Sequence, residues 1–183
     1  MKIGLVGESP HDTTSVKNLL SRIYPELEFI NLIHHIHGSQ LDQLQPTKNR
    51  LRKEYEWEKP DLVVFIRDLD ALKKDITQLR KRAEYFREFR TVVDNRAVFL
   101  LFIFEIEAMI LCDIGTFNQH YGTAEEPVAD PHDVTEPKER LKLICKKYNE
   151  SHNPELFGKL DTDLLANRSA DFNAFLRKFE RYL

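Results

Sequence analysis

The chain has 183 residues, enough for one domain, and its 42% hydrophobic and 31% charged residues exclude a disordered or fibrous protein. With 27 basic and 30 acidic residues, it lacks the basic coat of a general nucleic-acid binder, although local basic patches remain compatible. Cys112 and Cys145 form no CxxC pattern, which argues against a zinc ribbon or a disulfide framework. Without a signal peptide or a membrane-length apolar run, we expect a reducing cytoplasm and no membrane association.

Short apolar runs alternate with amphipathic segments in the first part of the chain. The apolar runs predict strands at 3–6, 27–36, 62–67 and 97–104. The last of these is the most apolar, so we expect it at the centre of the sheet. Helical periodicity predicts helices from a cap at Asp12 or Thr13 to Ile23, from Pro46 onward, and at 72–92 and 105–113. This alternation predicts an α/β fold with a mainly parallel, Rossmann-like sheet flanked by helices.

The pattern changes after residue 114. Residues 121–135 are loop-like, and two helices are expected at 137–148 and 170–182 without a strand between them. The sequence therefore predicts an α/β core at 1–114 and a helical C-terminal appendage of the same domain at 115–183.

Acidic residues follow three of the predicted strands. They are Glu8, Asp68, Asp70 and Glu105, with Glu107 close behind. The carboxyl ends of parallel strands meet at one edge of a sheet, and on an extended chain residues two apart point to the same side. Clustered carboxylates repel one another unless a cation lies between them, and oxygen ligands suit Mg²⁺ or Mn²⁺. The pattern favours a metal site, with helix capping or simple solvation as the alternative.

Positively charged residues near these acids are candidates for substrate contact. Arg67, Lys73 and Lys74 lie close to the aspartates in sequence, and His11 follows Glu8. The more distant basic residues either contact nucleic acid or form solvated helix faces. They are Arg80, Lys81, Arg82, Lys138, Arg140, Lys142, Lys146 and Lys147. His34, His35 and His37 are surface or packing histidines, or else contacts beside the acidic site.

Several of these motifs, taken in order, resemble a known fold. Glu8 after the first strand and Asp68-x-Asp70 after a later strand resemble the Toprim fold of topoisomerases, primases and OLD-family nucleases. Asp12 is the candidate for a second acidic position in the first loop. The stretch from Phe104 to Ile110 resembles the EFEALL-like motif of the Toprim-like DUF4276 group. The C-terminal half of that group is similar to Lys138-Glu139-Arg140-Leu141 and Ser169-x-x-Phe172-x-x-Phe175-Leu176.

The resemblance implies a Mg²⁺- or Mn²⁺-dependent nuclease acting on DNA or RNA. Asp68 and Asp70 would be primary metal ligands, and Glu8 and Glu105 would be ligands or general bases. Glu107 would support the first metal or bind a second one. The resemblance also implies a defence role against phage or mobile elements with an ATPase partner protein, and it leaves a homo-oligomer open.

Two alternatives remain at this point. An aspartate-nucleophile phosphatase also uses a DxD motif, but there the motif ends the first strand and a hydroxyl residue follows, which Asp70-Ala71-Leu72 lacks. The second alternative is a non-catalytic binding or regulatory subunit with the same fold. Glu8 converging on Asp68 and Asp70 favours the enzyme, whereas acids splayed apart or paired with Arg67 favour the non-catalytic subunit.

Overall fold

The chain folds around a four-stranded, all-parallel sheet. The computed structural model describes residues 1–33 and 44–183. The strand order is β2-β1-β3-β4, which confirms the predicted α/β fold. The strands are β1 (Lys2–Val6), β2 (Glu28–Asn31), β3 (Leu62–Asp68) and β4 (Ala97–Phe102).

Nine α-helices surround the sheet in the described part of the chain. They are α1 (Pro10–Ile23), α2 (Leu44–Glu58), α3 (Ile76–Arg90), α4 (Ala108–Cys112), α5 (Ile114–Tyr121), α6 (Pro137–Ile144), α7 (Asn153–Phe157), α8 (Thr162–Arg168) and α9 (Ala170–Phe179). Short 3-10 turns lie at Thr91–Val93, Pro131–Asp133, Glu150–His152 and Glu180–Tyr182. None of the helices so described is both long and apolar enough to cross a membrane.

The helices form an apolar core on each face of the sheet. The larger core joins α1 and the C-terminal helices to one face, and the smaller core packs α2 and α3 against the other. Successive strand residues point to opposite faces, so each strand contributes to both cores. This double coverage explains why the strands read as continuous apolar runs.

The most apolar strand, β4, lies at an edge of the sheet, so the prediction of a central position is wrong. It pairs with β3 alone among the described strands. Its side chains alternate between the cores, with Val98 and Leu100 in the larger one and Ala97 in the smaller one. The apolar run of β4 therefore indicates that helices cover both faces of the sheet. It does not indicate how many strands lie beside β4.

Several element boundaries also differ from the sequence prediction. The helix expected from Leu72 begins at Ile76, because the Asp75 carboxylate accepts from the backbone N–H groups of Thr77 and Gln78 at 3.0 Å. The last strand ends at Phe102, and the following helix begins at Ala108. The predicted second strand is shorter than expected, and its end from residue 34 lies outside the described residues.

The C-terminal segment packs directly on the first helix. Asn18 Nδ2 donates to the carbonyl of Pro154 at 2.8 Å, and Arg22 donates to the carbonyl of Leu160 at 2.8 Å. The helices expected at 137–148 and 170–182 are present but shorter, and α5, α7 and α8 were not predicted. Residues 115–183 thus complete the larger core of the α/β unit.

Candidate functional site

A cavity lies where the strand order reverses. The chain passes from β1 outward to β2 and then returns to the other side of β1 as β3, so the reversal falls between β1 and β3. Open parallel sheets bind ligands beyond the carboxyl ends of their strands at this point. The cavity has a volume of about 180 Å³ and is lined by Ser9, His11, Asp12, Asp68, Ile106, Glu107, Lys138 and Glu150.

The loop after β1 brings α1 close to the strand ends. A side chain at Gly7 would place its Cβ 2.7 Å from Thr13 Cγ2, so only glycine allows this approach. Helix α1 is capped by Ser9, whose hydroxyl accepts from the Asp12 N–H at 3.1 Å. The predicted cap at Asp12 or Thr13 is therefore wrong. Because Ser9 performs the capping, the Asp12 side chain instead lines the cavity.

The carboxyl groups around the cavity perturb one another. Burial raises the pKa of Asp68 well above its usual value, and the charges of Asp12, Glu8 and Glu107 raise it further. Burial also raises the pKa of Asp12 to about 7, assisted by Glu107 and Glu8. Both shifts reflect the cost of placing negative charges together in a poorly solvated space. The cavity therefore favours a positive charge among these carboxylates.

Glu107 is the most deeply buried acid at the cavity, with only 3% of its surface exposed. Its Oε1 accepts from Asn153 Nδ2 at 3.0 Å, and the Tyr148 hydroxyl lies 3.3 Å from the same oxygen. Sequence reasoning missed Tyr148 and Asn153, since nothing in their local pattern links them to a residue more than forty positions earlier.

Glu8 contacts Arg67. It is not one of the described residues that line the cavity. Its Oε1 accepts from Arg67 Nε at 2.5 Å and from the backbone N–H of Asp68 at 3.2 Å. The Arg67 guanidinium also lies 4.5 Å from the centre of the Tyr85 ring. Glu8 is thus beside Asp68, in the ion pair that the non-catalytic alternative anticipates.

Asp70 lies beyond the end of strand β3 and pairs with Arg82. Strand β3 ends at Asp68, and Asp70 adopts a left-handed backbone conformation with φ of 57°. The extended geometry that would place both aspartates on one side is therefore wrong here. Asp70 is largely exposed and forms an ion pair with Arg82.

Glu105 lies next to the cavity wall without being one of its described lining residues. Its Oε2 accepts from the backbone N–H of Lys138 at 3.2 Å. Burial raises the pKa of Glu105, while the Lys138 N–H opposes that rise. The Lys138 ammonium pairs with Glu150 at 3.0 Å. The sequence places Lys138 among the distant basic residues and in a C-terminal motif, and its local pattern gives no sign of Glu150 at this site.

The predicted substrate residues are distributed unevenly. His11 lines the cavity. Lys73 is instead paired with Asp171 at 2.8 Å. Lys74 is exposed and is not one of the described residues lining the cavity. The three candidate histidines at positions 34, 35 and 37 lie outside the described residues.

The carboxylates at the cavity offer the oxygen ligands that a hard cation prefers, but their arrangement is not that of a complete metal-binding cluster. Within residues 1–33 and 44–183, no group of three or more His, Cys, Asp or Glu side chains has an arrangement that could hold a metal ion. Mg²⁺ in phosphoryl-transfer sites, however, is usually held by one or two carboxylates, with waters and substrate phosphate completing its shell. Asp68 and Glu107, two carboxylates that line the cavity, fit that mode of binding in their chemistry.

Comparisons with known proteins identify one relationship. No curated protein and no solved structure matches the chain. A family model described as "Domain of unknown function (DUF4276)" matches residues 8–180. The match includes Glu8, the cavity and the C-terminal helices, and it confirms the DUF4276 part of the sequence resemblance. The chain therefore belongs to the DUF4276 family.

Proposed function

We propose that the chain is a Toprim-like, Mg²⁺- or Mn²⁺-dependent nuclease that hydrolyses phosphodiester bonds in DNA or RNA. The observation that carries the proposal is the meeting of Asp12, Asp68 and Glu107 at one cavity, at the point where the strand order reverses. The three come from separate connections of the sheet. Their repulsion is relieved by a divalent cation, which also makes the cavity attractive to a phosphate group.

In this proposal, Asp68 and Glu107 would hold the ion, with waters and substrate phosphate completing its shell. A bound divalent ion supplies charge that stabilises the phosphodiester oxygens and a water of lowered pKa. Glu8 holds the Asp68 backbone N–H and so fixes the end of β3. The contribution predicted for Asp70 would first require its ion pair with Arg82 to break.

Lys138 and His11 provide the substrate side of the proposed site. Both line the cavity, and the Lys138 side chain remains partly exposed while it pairs with Glu150. A substrate phosphate can replace Glu150 as the partner of the ammonium group. Such contacts would bind the nucleic-acid backbone without reading its sequence.

The partners follow from the Toprim-like resemblance. It supports an ATPase partner protein, a role in defence against phage or mobile elements, and a cytoplasmic location. The free, buried thiols of Cys112 and Cys145 are compatible with a reducing compartment.

A non-catalytic binding or regulatory subunit is the second candidate. The ion pairs of Glu8 with Arg67 and of Asp70 with Arg82 favour it, because each occupies a predicted catalytic acid with a protein cation. The two candidates differ in whether the cavity binds metal.

Thermal unfolding with and without millimolar Mn²⁺ tests the nuclease proposal. A ligand bound only by the folded state raises Tm, by the equivalent of about 2.7 kcal/mol at a hundredfold excess over Kd. We expect Mn²⁺ to raise the Tm of wild type but not that of Asp68→Asn. Asp171→Asn is the matched control, since Asp171 pairs with Lys73.

The same proteins are then incubated with single- and double-stranded DNA and RNA. Wild type and Asp171→Asn should cleave at least one substrate with added Mn²⁺, and Asp68→Asn should not. If Mn²⁺ changes the Tm of none of the three proteins and no substrate is cleaved, the results favour the non-catalytic subunit over the nuclease.

A further inference from the structure

Glu107, Tyr148 and Asn153 form a closed hydrogen-bonded group beneath the cavity. Their exposed fractions are 3%, 3% and 1%. The Tyr148 hydroxyl lies 2.8 Å from Asn153 Oδ1, and Asn153 Nδ2 lies 3.0 Å from Glu107 Oε1. Buried polar groups at this depth are costly unless each finds a partner. Here each member of the group satisfies another.

The chemistry of the three groups fixes the direction of these bonds. An ionised Glu107 can only accept, so Asn153 must turn its NH₂ toward it. The Asn153 carbonyl then faces Tyr148, whose hydroxyl must donate. The shorter contact of Tyr148 is the one to Asn153, 2.8 Å against 3.3 Å to Glu107. Tyr148 thus orients Asn153, and Asn153 holds one oxygen of Glu107.

We propose that Tyr148 and Asn153 are positioning residues that hold Glu107 aimed at the cavity, where it binds a divalent cation. The inference rests on the proposed metal-dependent function and extends it to the C-terminal segment. Tyr148 follows α6 and Asn153 begins α7, so residues beyond the sheet complete the site. Outer partners of metal ligands typically change metal affinity 10- to 100-fold when they are removed.

Tyr148→Phe tests this role, because it removes the hydroxyl and keeps the ring. The measurement is the Mn²⁺ concentration that gives half-maximal stabilisation in thermal unfolding, with Mn²⁺ as the only ligand. We expect that concentration to rise about tenfold. Tyr121→Phe is the matched control, since the Tyr121 hydroxyl contacts His152 in the same cluster at 2.5 Å. It should leave the Mn²⁺ dependence unchanged.

A double-mutant cycle separates positioning from general destabilisation. Glu107→Gln should weaken Mn²⁺ binding by itself, and adding Tyr148→Phe to it should cause no further weakening. Asn153→Leu provides a second variant, which removes the NH₂ donor with little change in size and without adding a charge, and it should reproduce the effect of Tyr148→Phe.

The outcomes distinguish this inference from the proposed function. Failure of wild type to respond to Mn²⁺ would overturn both. If wild type responds but Tyr148→Phe behaves like Tyr121→Phe, the positioning role alone is overturned. Equal weakening by Tyr148→Phe in the wild-type and Glu107→Gln backgrounds would also overturn it, because Tyr148 would then act independently of Glu107.

Discussion

The Arg67 guanidinium donates from Nε to Glu8 Oε1 at 2.5 Å, although only 1% of the Arg67 side chain is exposed. Glu8 is 20% exposed, so the ion pair lies between the core and the candidate site. Breaking a buried ion pair by removing one partner typically costs about 3–5 kcal/mol, because the other charge is left uncompensated.

Arg67→Met should therefore reduce the free energy of unfolding by about 3 kcal/mol. Arg67→Lys should recover only part of this loss, because an ammonium cannot reproduce the planar guanidinium over Tyr85. Urea denaturation of the variants measures both values. Lys2→Met breaks the more exposed pair with Glu58 and should cost less than about 1 kcal/mol. Equal losses of unfolding free energy in Arg67→Met and Lys2→Met would show that the buried ion pair stabilises the fold no more than the exposed one.

The raised pKa of Asp12 predicts that stability in metal-free buffer falls as pH rises. Folded Asp12 keeps its proton up to a pKa of about 7, whereas the unfolded chain releases it near the ordinary value of 3.8. The folded state thus binds more protons between these values, and its advantage is lost as pH increases through the folded pKa.

Asp12→Asn removes this titration. The variant should match wild type near pH 4 and exceed it by about 4 kcal/mol at pH 8, as measured by chemical denaturation with a chelator present. Added Mn²⁺ should reduce the advantage of the variant at pH 8. A difference between the two proteins that does not vary with pH would contradict the assignment.

Asp70→Asn separates the two members of the Asp68-x-Asp70 motif. Asp70 pairs with the buried Arg82 and is not among the described residues lining the cavity. We expect Asp70→Asn to lower stability by about 1–2 kcal/mol through the lost charged hydrogen bond. Its Tm increase with Mn²⁺ should remain equal to that of wild type. If Asp70→Asn abolishes the Mn²⁺ response as Asp68→Asn does, the two aspartates act together as the sequence pattern first indicated.

The sheet was predictable because its strands are short apolar runs that end at polar residues. The order of the strands was harder to predict from the sequence, and β4 is the clearest example. Phe99 points to the core under α3, while Val98 and Leu100 point to the core under the C-terminal helices. Hydrophobicity records burial by any element, so it could not show that β4 has only one neighbouring strand among the described residues.

The site was predictable where it depends on strand ends. Asp68 ends a strand and Glu107 follows one, and both line the cavity. Local backbone geometry limited the rest, because the left-handed turn at Asp70 has no signature in the period-two pattern. Tertiary packing of the C-terminal segment brings Glu150 to the cavity and Asn153 to Glu107, and a single sequence does not encode this packing locally.

The packing of α1 on the C-terminal segment has a consequence for biosynthesis. Asn18 bonds to the carbonyl of Pro154, 136 residues further along the chain. At ordinary translation rates, on the order of ten seconds separate the synthesis of these two residues. Glu107 is itself made 46 residues before Asn153, so for about 5 s it has no Asn153 and, at first, no Tyr148 to hold it. A nascent chain on the ribosome therefore carries the acids of the site without their final arrangement, and any metal-dependent activity awaits synthesis of the segment that contains Asn153.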